Sequence, residues 1–415
     1  MKWMMTFSAG ACLSMLAACG PGVGGNHGPQ LVAATSAYRA VSSYSGATVV
    51  PGGQFTLAGY GQAPVAFDAA VNLFVAPNGS DAAAGTEAAP FLTLARAAAA
   101  AVPGTTVWVA PGTYAGGFQS TASGMPSARI AFVSTTRWGA KLVPAGGAST
   151  GVGWDSRGSD VSVVGFDIDG GAAGPWSHGI YAGGARTLIQ DNHVHHIATA
   201  TACNGAGGSA IGADSYFHGT DQDIVANTVH DIGSANCKYI QGIYMSTSGR
   251  VVNNLVYRIG EAAIHLWHDA TDVTVANNTV AAARFGIIVG GGDFYFRSAG
   301  NNRTTVANNI VVGTGLAISE QGKTGTANRY LNNLVFDNDV ALGLRNGVRA
   351  VGTVDADPLF VAYSDTEPLP NFRLAPGSPA IGAGTAENAP GKDIDGTSRD
   401  GPLDIGAYAH LSTRQ

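Results

Sequence analysis

Residues 241–280, QGIYMSTSGRVVNNLVYRIGEAAIHLWHDATDVTVANNTV, carry one short pattern twice, and that repetition limits what the chain can fold into. Gly242-Ile243-Tyr244-Met245-Ser246 returns 21 residues later as Ala263-Ile264-His265-Leu266-Trp267. Val252-Asn253-Asn254-Leu255-Val256 returns 24 residues later as Ala276-Asn277-Asn278-Thr279-Val280. Such a period, with apolar and polar residues alternating and an Asn ahead of each second strand, fits a parallel β-solenoid.

The coils are countable from residue 151. Aligned on the second Asn of the Asn-Asn pair they fall at Phe166, Asn192, Asn227, Asn254, Asn278, Asn309 and Asn333, with steps of 26, 35, 27, 24, 31 and 24. Short steps read as bare coils and long ones as coils with inserted loops. An Asn repeated at one turn can bond side chain to backbone in the neighbouring coil, so these residues are assigned to the scaffold and not to chemistry. Two of the connections that follow are long: 198–208, with Cys203, and 233–241, with Cys237 and Lys238.

The entry to the coils is distinctive. Asn72-Leu73-Phe74-Val75-Ala76-Pro77-Asn78-Gly79-Ser80-Asp81 precedes Pro90-Phe91, an Ala-rich helical run from Leu92 to Val102, Pro103-Gly104, and the strand and turn from Thr106 to Tyr114. Starting after a proline and stopping at Pro-Gly, the run predicts a helix that covers the open end of the first coil. This segment resembles the N-terminal entry of bacterial right-handed parallel β-helix proteins of the pectate-lyase-like superfamily, and with the repeats the resemblance covers roughly residues 72 to 360. It implies a single-stranded right-handed parallel β-helix with an N-terminal capping helix. The superfamily includes lyases, hydrolases, epimerases and binding proteins, so fold does not settle reaction. In it, loops placed like 198–208 and 233–241 form one wall of a substrate groove. Asp355 to Phe360 and the Asp393, Arg399 and Asp404-Ile405-Gly406-Ala407-Tyr408 segments resemble a tail recurrent in secreted bacterial β-helix proteins, read as an irregular C-terminal cap.

The ends point to export. Lys2 and the short apolar run 3–18 read as a cleaved signal, too short to span a bilayer. Leu16-Ala17-Ala18-Cys19 resembles a lipobox, which implies a lipid on Cys19, and Gly20 in place of Asp favours the outer membrane. The expected organisation is signal peptide 1–18, tether 19–71, β-helix 72–353 and cap 354–415, monomeric, on the cell envelope. Cleavage leaves Cys203 and Cys237 to form one disulfide joining the two long loops. With 22 Lys and Arg against 28 Asp and Glu, the net charge of −6 argues against nucleic acid as a partner.

Strand alternation then selects the candidate site. With Ile180, Ile211, Ile243, Ile264 and Ile287 inward, one outward column reads Tyr181, Gly212, Tyr244, His265, Ile288, Ile318, and a second reads Gly183, Asp214, Ser246, Trp267, Gly290, Glu320. A polar and aromatic patch beneath two long loops suits a saccharide groove. The reading is a polysaccharide-processing enzyme, foremost a lyase that cleaves a uronate polymer by β-elimination. His265 or Lys238 would be the base and Tyr244 the acid, while Trp267, Asp214, Ser246, Tyr181, His268 and Arg258 contact the sugar. Arg258, Arg284, or a Ca²⁺ held by Asp214, Asp221 and Asp223, would neutralise the substrate carboxylate. No metal site is assigned: His195, His230 and Tyr257, with His196, Asp231 and Arg258 after them, are read as a buttress under the loops. The alternatives are a hydrolase, for which Asp214 and Glu320 stand too far apart at about 19 Å by coil spacing, an epimerase on the same fold, and a non-catalytic glycan-binding or structural lipoprotein.

Overall fold

The computed structural model describes residues 55–59, 62–67, 71–145, 151–171, 176–199, 207–234 and 237–410. The signal, Cys19 and Cys203 therefore lie outside the described residues, and the Cys203–Cys237 pairing with them; Cys237 itself is buried in the core. Within the expected tether, Phe55–Gly59 and Gln62–Phe67 form an antiparallel pair.

From Val71 onward the chain winds through three strand faces per coil. The first face is an 11-stranded parallel sheet that runs from Val71–Val75 to Ala350–Val351. The second face begins after the Asn turn and includes Asp167–Asp169, His193–His195 and Thr228–Ile232. The third carries the Gly-Ile-Tyr pattern, as in His178–Ala182, Gly208–Ala213 and Ile240–Met245. Where no loop is inserted, one strand covers both faces: Leu255–Leu266, Thr279–Gly291 and Ile310–Gly322 join them into a 16-stranded sheet. The isoleucines stack in register from Ile180 through Ile211, Ile243, Ile264 and Ile287 to Ile318, all fully buried.

The Asn ladder has a uniform chemistry. Asn254 Oδ1 accepts from both the N–H and the side-chain amide of Asn227, at 2.9 and 3.0 Å, while its own amide donates to Ile224 O at 2.9 Å. The same arrangement repeats from Asn192 to Asn333, so each turn's buried polar groups are satisfied one coil along. The first Asn of each pair does something else. Asn253, Asn277, Asn308 and Asn332 take left-handed φ of 48–57° and point their side chains out of the solenoid.

The expected capping helix is Leu94–Ala100, with Thr93 as N-cap and Leu94, Ala97 and Ala98 packed on Val75, Phe91 and Val107 at the first coil. The C-terminal cap is an irregular segment laid along the outer side of the second face in the later coils. The outward-turned Asn residues hold it, through Asn253 to Lys392 O, Asn277 to Asp404 O, Asn308 to Thr385 O and Asn332 to Ala383 O, at 2.7–3.0 Å. Beneath it lies a second core in which Phe372, Leu374, Ile394 and Ile405 cover Leu255, Tyr257, Ile310 and Leu334. Arg399 ties this segment together by donating to the carbonyls of Gly406 and Ala407.

Candidate functional site

The third face turns its outer side toward a cavity of about 560 Å³. Its floor is the outward column Tyr181, Gly212, Tyr244, His265 and Ile288, paired in that order. Gly212 opens this floor, since a Cβ there would stand 3.0 Å from Ser209 Oγ and beside the rings of Tyr181 and His178. Tyr244 and His265 are neighbours, ring to ring at 5.3 Å and nearly perpendicular, and Trp267 lies 5.4 Å beyond His265.

His265 is the anomaly of the site. Both ring nitrogens are shielded from water and neither has a hydrogen-bond partner. Burial, and then the nearby His268, lower its pKa to about 3, so the imidazole is neutral around neutral pH. Burial also pushes the Tyr244 phenol well above the usual range, with Tyr295, Asp214 and Asp293 adding to the effect. Tyr181 is raised likewise, by burial first and then by Asp214, to which its hydroxyl is bonded. Near neutral pH the imidazole is thus unprotonated and the phenol protonated.

Asp214 has a fixed orientation. Its Oδ1 accepts from Ser246 Oγ and from Tyr216 N–H, both at 2.8 Å. Ser246, expected to touch the sugar, is fully buried and serves this bond instead, because the strand end closes over it. His268 donates from Nδ1 to the Asp293 carbonyl at 2.9 Å, leaving Nε2 to accept from the Tyr295 hydroxyl at 2.9 Å. Trp267 lies against the backbones of Gly290, Gly292 and Gly322, where any Cβ would meet its ring. Exposed aromatic residues Tyr216, Phe217 and Phe296 stand beside this cavity, linked to its wall through the 5.3 Å contact of Tyr216 with Tyr295.

Several expected residues are elsewhere. Lys238 is exposed on its loop, and Tyr239 rather than Lys238 lines the cavity. Arg258 is committed to Asp231, at 2.7 and 2.8 Å, and to the Glu367 carbonyl on the outside of the second face. Arg284 pairs with Glu261 at 3.0 Å, and only Glu261 reaches the cavity. The Ca²⁺ set does not assemble: Asp223 is held by Arg250 through both oxygens, and Asp221 sits in a left-handed turn bonded to Ser248. Ile318 and Glu320 belong one column over. Ser319 pairs with Ile288 and Gln321 with Gly290, so Glu320 points inward, where Tyr330, Asn328 and Arg345 N–H bond it. A one-residue slip in assigned register exchanges the faces.

Sequence alternation also missed His178, Ser209 and Gln241, which line the cavity. Strict alternation from the isoleucines turns them inward. The small residues Gly179, Ala210, Gly242 and Ala263 form a buried corner column that breaks the alternation. Gln241 Oε1 accepts from Ala262 N–H, so its amide N–H groups are available to the cavity, and Ser209 Oγ has no partner. Among the described residues no lysine or arginine lines the cavity, whereas Asp214, Glu261 and Asp293 do.

The family model described as "Protein of unknown function (DUF1565)" matches residues 77–121. No curated protein matches the chain in sequence. The crystal structure of pectate lyase Pel9A is similar with a TM-score of 0.57 and 18% identity, over 82% of this chain and 96% of that one. An alginate lyase from Paenibacillus sp. str. FPU-7 is similar at 0.45 and 17%, over 63% and 92%. The complex of XylC with xylose is similar at 0.43 and 13%, over 66% and 70%. The chain thus shares the right-handed parallel β-helix fold of pectate-lyase-like proteins, as its entry segment implied.

Proposed function

We propose that the cavity on the third face binds and cleaves a polysaccharide, by β-elimination of a uronate-containing chain. The observation that carries this is the adjacency of His265 and Tyr244, ring to ring at 5.3 Å, among the residues that line the cavity. In elimination His265 takes the C5 proton as the C4–O bond breaks, and Tyr244 gives its proton to the leaving oxygen. A C4=C5 double bond forms in the product. The substrate carboxylate would be held by hydrogen bonds from Gln241 and Ser209, since the described residues of the lining include no Lys or Arg. The fold of a pectate lyase supports the reading without specifying it.

One observation favours a second reading. Among the described residues of the lining, three carboxyl groups and no Lys or Arg suit a neutral glycan better than a polyanion, with hydrolysis or binding alone as the outcome. A panel of uronate and neutral polysaccharides separates the two, followed by ultraviolet absorbance of unsaturated products and by reducing ends. Absorbance with a uronate polymer supports elimination. Reducing ends without absorbance, or binding without either, favours the second reading. Export and lipid attachment at Cys19 remain part of the proposal and fit a polymer met outside the cell.

A further inference from the structure

Four imidazoles, of His193, His195, His196 and His230, and three carboxylates, of Asp167, Asp169 and Asp231, meet on the outer side of the second face. Asp169, His195 and His230 stack in register on successive strands. His196 follows His195 in a left-handed conformation, φ 53°, beside the same patch. The His195 ring lies nearly parallel to His230 at 5.2 Å and to His193 at 4.2 Å, so it has little freedom to turn.

The two nitrogens of His195 have different neighbours. Nε2 is 2.8 Å from Asp167 Oδ1, and donating there leaves the Nδ1 lone pair of a neutral ring facing outward. Nδ1 is 2.6 Å from His196 Nδ1 and 3.6 Å from Asp169 Oδ1, and His196 Nδ1 is 3.4 Å from the same oxygen. Three donor atoms thus converge, with a carboxylate behind one imidazole to fix its tautomer, the arrangement metal-bound histidines use. Tetrahedral ligands at bonds of ~2.0–2.1 Å stand about 3.3 Å apart. Two of the three edges match, and the His195–His196 edge would open slightly. Lys141 occupies only the other oxygen of Asp169, at 2.6 Å. Charge agrees: Asp167, Asp169 and Asp231 face two cations, Lys141 and Arg258, so with neutral imidazoles the cluster retains one negative charge.

We propose that Asp169, His195 and His196 bind one divalent first-row transition-metal ion, with Asp167 orienting His195 and a coordination position open to solvent. The partly exposed His196 ring, 43% accessible, provides the way in. Two imidazoles and a carboxylate suit zinc or iron(II) rather than calcium. The site is on a different face from the glycan cavity and does not depend on the reading of that cavity.

The test is calorimetric titration of untagged, metal-stripped full-length protein with zinc chloride, with cobalt(II) absorbance as a second signal. One ion per chain is expected, with cobalt d–d bands of nitrogen and oxygen ligation. His196→Ala, at an exposed position, and the isosteric Asp169→Asn should each weaken binding at least about ten-fold. His265→Ala, in the cavity, should leave it unchanged. No zinc binding by the folded wild type, or wild-type affinity in both ligand variants, overturns the proposal.

Discussion

His265 concentrates the site's chemistry in one residue, because it stays neutral where most histidines titrate. Its folded pKa of about 3 lies below the ordinary value of 6.5, so the unfolded chain binds the extra proton. Stability from this group is therefore complete above ~pH 6.5 and declines as pH falls toward 3, by up to ~2 kcal/mol at pH 5. Asp167 and Asp231, held below the usual carboxylate range despite burial by bonds from His193 and Arg258, lose stability only at lower pH. Melting temperatures of wild type and His265→Phe between pH 7 and 5 check this: the variant should lose clearly less, and parallel curves would refute it. The adjacency of Tyr244, His265 and Trp267 was legible from the repeat alone, since period-2 alternation and a shared register fix it. His178, Ser209 and Gln241 were not, because the bend at Gly179 and Gly242 interrupts that alternation. Asp293 and Tyr295 arrive on a loop that no periodicity describes.

At the scale of the element, the two asparagines of each pair divide the work. Asn254 is enclosed and bonds three coils together, while Asn253 faces the tail through Lys392 O and Arg399. Asn254→Ala orphans the buried N–H of Asn227 and the Ile224 carbonyl, at about 1–3 kcal/mol per group, so denaturation should show a loss of about 3–5 kcal/mol. Asn253→Gly keeps the left-handed backbone and removes only the tail contacts, and a loss of about 1 kcal/mol is expected. Equal losses would contradict the division. The ladder was readable as a column of Asn. The outward asparagines were not readable as anchors, because their partners are backbone carbonyls 51 to 139 positions later.

Across the whole molecule, the tail covers apolar residues on the outer side of the second face. A chain ending at residue 358 exposes Leu255, Tyr257, Ile310 and Leu334. It should bind a hydrophobic dye and self-associate, whereas a monomeric, dye-silent truncation would show that the second core is dispensable. The histidine cluster lies on the same face and meets the tail through Arg258, which bonds both Asp231 and the Glu367 carbonyl. The third face carries the cavity around Tyr244 and His265. The decisive measurement is turnover on an unsaturation-forming uronate polymer by wild type, Tyr244→Phe and His265→Ala, each verified as folded by circular dichroism. The account predicts wild-type product with a conjugated double bond and at least about a hundred-fold loss of kcat in each variant. Wild-type rates in both folded variants would contradict it.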